Sequence, residues 1–140
     1  MDWSAIQSHL VALATAYCLA LPIGWEREKS GRSAGLRTFP LVAIASCGFI
    51  QAAEGLVQYE PDALARIVEG VITGIGFIGG GAILKGESSV HGTATAASLW
   101  TTGAIGIAVG LGAYSVALLI AAFTIATLWF LTFLKSPPSP

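Results

Sequence analysis

The residues able to do chemistry are concentrated in one stretch: Gly24-Trp25-Glu26-Arg27-Glu28-Lys29, then Gly31-Arg32-Ser33-Ala34-Gly35-Leu36-Arg37-Thr38. Carboxylates this close to guanidiniums form charge-assisted pairs wherever water is scarce, because an isolated charge near hydrocarbon is costly. If a helix runs on through Glu28, Glu26 and Glu28 stand about 200° apart around it. One carboxylate then faces inward while the other meets solvent or lipid headgroups. Thr38 and Thr95 would line one polar cavity with Glu26 and Arg37. The expected site is therefore Glu26, Arg27, Glu28, Arg32, Arg37, Thr38 and Thr95, with no catalytic residue and no metal ligand assigned. The same residues also fit a belt of snorkelling charges that fixes helix depth, with Trp25 as an aromatic anchor, and both readings stay open at this level.

Other chemistries find little support. Cys18 and Cys47 lie apart, without nearby His or carboxylate to complete a tetrahedral metal shell, and at mid-membrane depth they read as buried thiols rather than a disulfide. His91 is a lone loop histidine, and the ordinary reading is a solvated side chain with no ligand role. Gly74-x-Gly76-x-x-Gly79 matches a dinucleotide-binding pattern but lies inside an apolar segment, not between a strand and a helix. No Ser/His/Asp or Cys/His arrangement is visible. A non-enzymatic protein without a cofactor is expected. Seven Lys and Arg against eight Asp and Glu leave no basic surface for nucleic acid.

The elements that must carry these residues are apolar. Hydrophobic residues make up 54% and charged residues 11% of the 140, with a mean hydropathy of +0.74, too little polarity to coat a soluble globule. Five stretches, Ala5–Trp25, Thr38–Val57, Leu64–Leu84, Ala94–Gly112 and Ala113–Leu134, each approach the ~20 residues a helix needs to cross a bilayer. The expected fold is an all-α, polytopic transmembrane bundle of five spans, forming one integral domain over 1–134 with a disordered tail at 135–140. The first span carries no basic leader, so it reads as a permanent helix. Arg27, Lys29, Arg32, Arg37, Lys85 and Lys135 fall on one side and mark it as cytoplasmic, giving an outside N-terminus and an inside C-terminus. Arg66 falls on the other side, beside Glu60, Asp62 and Glu69.

Small residues recur at spacings of four. Gly70/Gly74 and Gly76/Gly80 mark the third span, and Ala94, Ser98, Thr102, Gly106 and Gly110 mark the fourth. Such stripes let another backbone approach, within one chain or between chains, so a homo-oligomer is expected. The run Gly79-Gly80-Gly81 reads as a helix exit or as an unwound ion-binding break. An offset of 57 residues lays Gly24 over Gly81, Gly35 over Gly92 and Thr38 over Thr95, which suggests two parallel hairpins plus a fifth helix, or coincidence.

Four motifs in order, Gly24-x-Glu26-Arg27-Glu28, Ala34-Gly35-Leu36-Arg37-Thr38, Thr73-Gly74-Ile75-Gly76-Phe77-Ile78-Gly79-Gly80-Gly81 and Thr95-Ala96-Ala97-Ser98-Leu99-Trp100, resemble the MgtC/SapB membrane domain. The resemblance implies a bacterial inner-membrane protein linked to magnesium homeostasis and survival in low magnesium. It implies action by binding and regulating another membrane complex, surrounded by membrane lipid. The alternative is a divalent cation (Mg²⁺) transporter or channel formed by an oligomer. Three positions depart from the pattern: Gly92-Thr93-Ala94-Thr95 where members commonly show Gly-Leu-Thr-Thr, Glu69 where a neutral amide or small residue is expected, and His91 where members often carry Arg. Members with a soluble C-terminal extension exist, and this sequence stops at Pro140.

Overall fold

The computed structural model describes residues 3–32, 34–57, 61–86 and 89–134. Glu60, Lys135 and the tail 135–140, which the charge and domain readings invoke, lie outside the described residues. The chain is an all-α bundle: α1 (Trp3–Lys29), α2 (Thr38–Ala52), the single turn α3 (Glu54–Val57), α4 (Pro61–Gly81), α5 (Thr93–Gly110) and α6 (Tyr114–Leu134). A two-residue antiparallel ladder, β1 (Leu84–Lys85) against β2 (Val90–His91), closes the α4–α5 connection.

The helix boundaries follow from local chemistry. Pro61 opens α4 and Pro40 sits in the first turn of α2, where a missing N–H costs nothing. Behind α1, Gly31 adopts a left-handed φ of 63°, and the amides of Gly31 and Arg32 fold back onto the carbonyls of Glu28 and Arg27. Gly112 repeats this at the α5–α6 turn, with its own amide on Val109 and that of Ala113 on Ala108. Both are Schellman closures, which need a residue without a Cβ at the turning point.

Two of the boundaries that move shorten a span at its C-terminal end. The second span stops at Ala52, where the Ala53 amide caps the Ile50 and Gln51 carbonyls, and Glu54–Val57 forms a separate turn. Helical backbone in the third stops at Gly81, with the Ala82 and Ile83 amides on the carbonyls of Ile78, Gly79 and Gly80, so the glycine run is a continuous helix followed by an exit. Among the described residues three helices, at Trp3–Lys29, Asp62–Gly81 and Tyr114–Leu131, are by themselves long and apolar enough to cross a membrane, while α2 is a shorter apolar helix of 15 residues. α5 packs against α1, α2, α4 and α6. Its buried face is therefore rich in Thr95, Ser98, Thr102, Gly103 and Gly106, since a helix surrounded by helices needs close approach rather than an oily coat.

The core is built from small residues on α1 and larger ones between them. Ala12, Ala16, Ala20 and Gly24 lie buried at intervals of four, and Ile23, Phe39, Leu99 and Ile105 fill the space they leave. The large apolar side chains point outward instead: Phe77, Phe123, Trp129 and Phe130 are all exposed. An apolar exterior around a core of small and hydroxyl residues suits a lipid surround and no other solvent.

Candidate functional site

At the end of the bundle that carries the α1–α2 loop, the two charged motifs meet. α1 does run on through Glu28, so Glu26 and Glu28 diverge. Arg27 is 3% exposed, and its Nε and a terminal nitrogen both donate to one oxygen of Glu26, Oε2. The other oxygen, Oε1, accepts the Ser30 hydroxyl at 3.0 Å. A guanidinium this deep is costly to bury without a counter-charge, and that carboxylate supplies it. Glu28 is exposed on the outer side, where its carboxylate accepts the Leu36 amide at 3.1 Å.

The glycines explain why the loop can come so close. A Cβ on Gly35 would collide with the Glu28 carboxylate, and one on Gly24 would fall 3.2 Å from the Gly35 carbonyl oxygen and 3.3 Å from Phe39 Cβ. The motifs at 24–28 and 34–38 are thus one packed unit, with Ala34 and Gly35 buried beneath it. Arg32 and Arg37 stand exposed, and neither forms an ion pair among the described residues. The structure therefore brings together Glu26, Arg27, Glu28, Ser30 and the Leu36 amide, and leaves Arg32 and Arg37 free to meet lipid phosphates or water. Ser30 and the Leu36 amide were missed; a hydroxyl four residues after Glu26 was the available signal. Lys29 instead lies over the Trp25 ring, 5.5 Å from its centroid.

Hydroxyls along the helices are mostly self-satisfied. Ser46 donates to Val42, Thr73 to Glu69, and Thr102 and Thr101 to Ser98, each one turn back. Thr95 is the exception. It is 1% exposed and its Oγ1 has no hydrogen-bond partner, although its carbonyl accepts Ser98 Oγ. Thr38 opens α2, half-buried, with its amide on the Gly35 carbonyl.

The small-residue stripes divide into two kinds. On α5, a Cβ at Gly106 would strike the Ala43 carbonyl oxygen and come within 2.7 Å of Ser46 Cβ, and one at Gly110 would lie 2.7 Å from Ile50 Cβ. Ser98 and Thr102 are buried on the same helix. Gly103, between the two stripes, receives the tip of Ile75 from α4. On α4, Gly70, Gly74, Gly76 and Gly80 have nothing within 4 Å of an added Cβ. Gly70 and Gly74 instead floor a groove of about 390 Å³ between α2 and α4, walled by Val42, Phe49, Val71 and Ile78.

An apolar helical bundle with its polar pairs drawn inward or tied to a loop defines a polytopic membrane protein. The chain belongs to the MgtC family, whose model matches residues 13–136. It is similar to Protein SrpB of Synechococcus elongatus, 37% identical over 139 residues that cover 91% of this chain and 75% of that protein. Protein MgtC of Brucella abortus is 37% identical over 126 residues, 90% of this chain and 52% of its own length. Protein MgtC of Salmonella typhimurium is 39% identical over 110 residues, 79% of this chain and 46% of its own length. The chain spans about half the length of these two MgtC proteins. No solved structure matches it.

Proposed function

We propose that this chain is a non-enzymatic regulator in a bacterial inner membrane, acting in magnesium homeostasis by seating a transmembrane helix of another membrane complex in its α2/α4 groove. The observation that supports this reading is the contrast between glycines: Gly106 and Gly110 are used up by α2, whereas Gly70 and Gly74 face open space. In lipid, a flat glycine floor between apolar walls attracts a helix by close backbone approach, since the hydrophobic effect gives no preference there. The bundle interior favours regulation over transport by a single protomer. α2 and α5 touch backbone to backbone, and the buried Ser46 and Thr102 hydroxyls are committed to their own helices, Thr95 being the exception. The Glu26–Arg27 pair then serves to lock α1 at its charged end, and the distribution of Lys and Arg supports reading that end as cytoplasmic.

Gly74→Leu tests this. The substitution fills empty groove, so thermal stability in detergent should stay within about 1 kcal/mol of the parent. In a strain lacking its own copy, the variant should fail to restore growth in low magnesium. Growth restored to the parental level would remove the groove from the function.

A further inference from the structure

A second cavity, of about 490 Å³, lies at the opposite end of the bundle, where α1 begins, α2 and α5 end and α6 begins. Its wall is chemically divided. His9, Gln51, Glu54 and Tyr114 are polar, and Ile50, Leu64 and Val109 are apolar. Among the described residues, Glu54 is the one formal charge on this wall and has no ion-pair partner. Nδ1 of His9 is shut off from solvent and has no hydrogen-bond partner. Backbone acceptors add to the set. In the α5–α6 turn the carbonyls of Ile107, Ala108 and Val109 receive the amides of Leu111, Ala113 and Gly112, which leaves the Gly110 carbonyl outside that set, and Gly110 lines the cavity.

We propose that this cavity binds the ammonium group of an amphipathic primary amine, with Glu54 as its counter-ion. An ammonium brings one positive charge and three N–H donors. It finds here one uncompensated carboxylate, the Gln51 amide and Gly110, with the unpartnered Nδ1 of His9 on the same wall. Mg²⁺ needs an almost complete octahedron of oxygens and keeps its waters; a single carboxylate beside an apolar wall does not supply that. Ile50, Leu64 and Val109 cover the carbon chain of an amine, and the volume falls in the range of small-molecule sites. Two sources offer this chemistry at a bundle end: the phosphatidylethanolamine headgroup of the surrounding bilayer and a free alkylamine from solution. The inference stands on its own residues and is independent of the α2/α4 groove.

The test uses the full chain in phosphatidylcholine nanodiscs, titrated with butylammonium chloride and followed by calorimetry and thermal unfolding. Butylammonium should bind and raise the unfolding temperature. Glu54→Gln should weaken it about tenfold, the value of one charge-assisted hydrogen bond, and Tyr114→Phe should weaken it less. Glu54 is exposed, so its variant keeps the parental fold, which circular dichroism checks. Nanodiscs containing phosphatidylethanolamine should block the butylammonium response if the lipid is the resident ligand, and leave it unchanged if a free amine is; either result supports the site. Equal binding of tetramethylammonium, which has no N–H donors, would overturn it. So would unchanged affinity in Glu54→Gln, or displacement of butylammonium by millimolar magnesium chloride.

Discussion

Gly106→Leu is expected to unfold the bundle or to lower its stability by at least about 3 kcal/mol. Overpacking a tight core costs about 1–3 kcal/mol when flexible side chains can yield. At Gly106 they cannot, because the first added atom meets the Ala43 carbonyl oxygen of α2 and the Ser46 Cβ beside it. α2 and α5 must separate to admit the new side chain, and α5 touches α1, α4 and α6 as well. For a chain of this size the loss corresponds to a fall of roughly 10 °C in unfolding temperature in detergent. Thermal unfolding with size-exclusion chromatography checks this. An unchanged melting temperature would mean that α2 and α5 are not in contact at Gly106.

Removing Glu26 is expected to cost nearly as much by a different route. Glu26→Ala strands the Arg27 guanidinium at 3% exposure with its two donors to Glu26 unmet, and breaking such a pair from one side costs about 3–5 kcal/mol. The partial exposure of Glu26 puts the value near the lower end. The double variant Glu26→Ala/Arg27→Met removes the stranded charge and fills its space, so it should recover most of the loss. Thermal unfolding of the parent, Glu26→Ala, Arg27→Met and the double variant gives the coupling directly. A double variant no more stable than Glu26→Ala would show that Arg27 contributes through packing and not through the pair.

The apolar stretches were legible because hydrocarbon imposes length and composition together, and Thr38 and Leu134 bound helices as read. The break at Ala53 was not, since Ala52 and Ala53 look alike in hydropathy and only the cap onto Ile50 and Gln51 ends the helix. Within the charged motif the Glu26–Arg27 contact is a neighbour relation that sequence suggests. Exclusion of Arg32 and Arg37 depends on where the Gly31 turn sends the loop, and the Glu28–Leu36 bond uses a backbone amide that no side-chain pattern reveals.

Stripes of small residues show the limit most clearly. A spacing of four says that a helix face is flat, but not what lies on it. The Gly106/Gly110 face took α2 and the Gly70/Gly74 face stayed open. Meanwhile the Ala12/Ala16/Ala20/Gly24 ladder, equally regular, carries no signal in the sequence because alanine is unexceptional in an apolar helix.

The most direct measurement is magnesium uptake by liposomes that contain only the purified chain and a magnesium-sensitive dye. A bundle whose interior is closed by the α2–α5 crossing predicts uptake equal to that of empty liposomes, unchanged by Glu26→Gln. Robust uptake that Glu26→Gln abolishes would contradict it and make the chain a transporter.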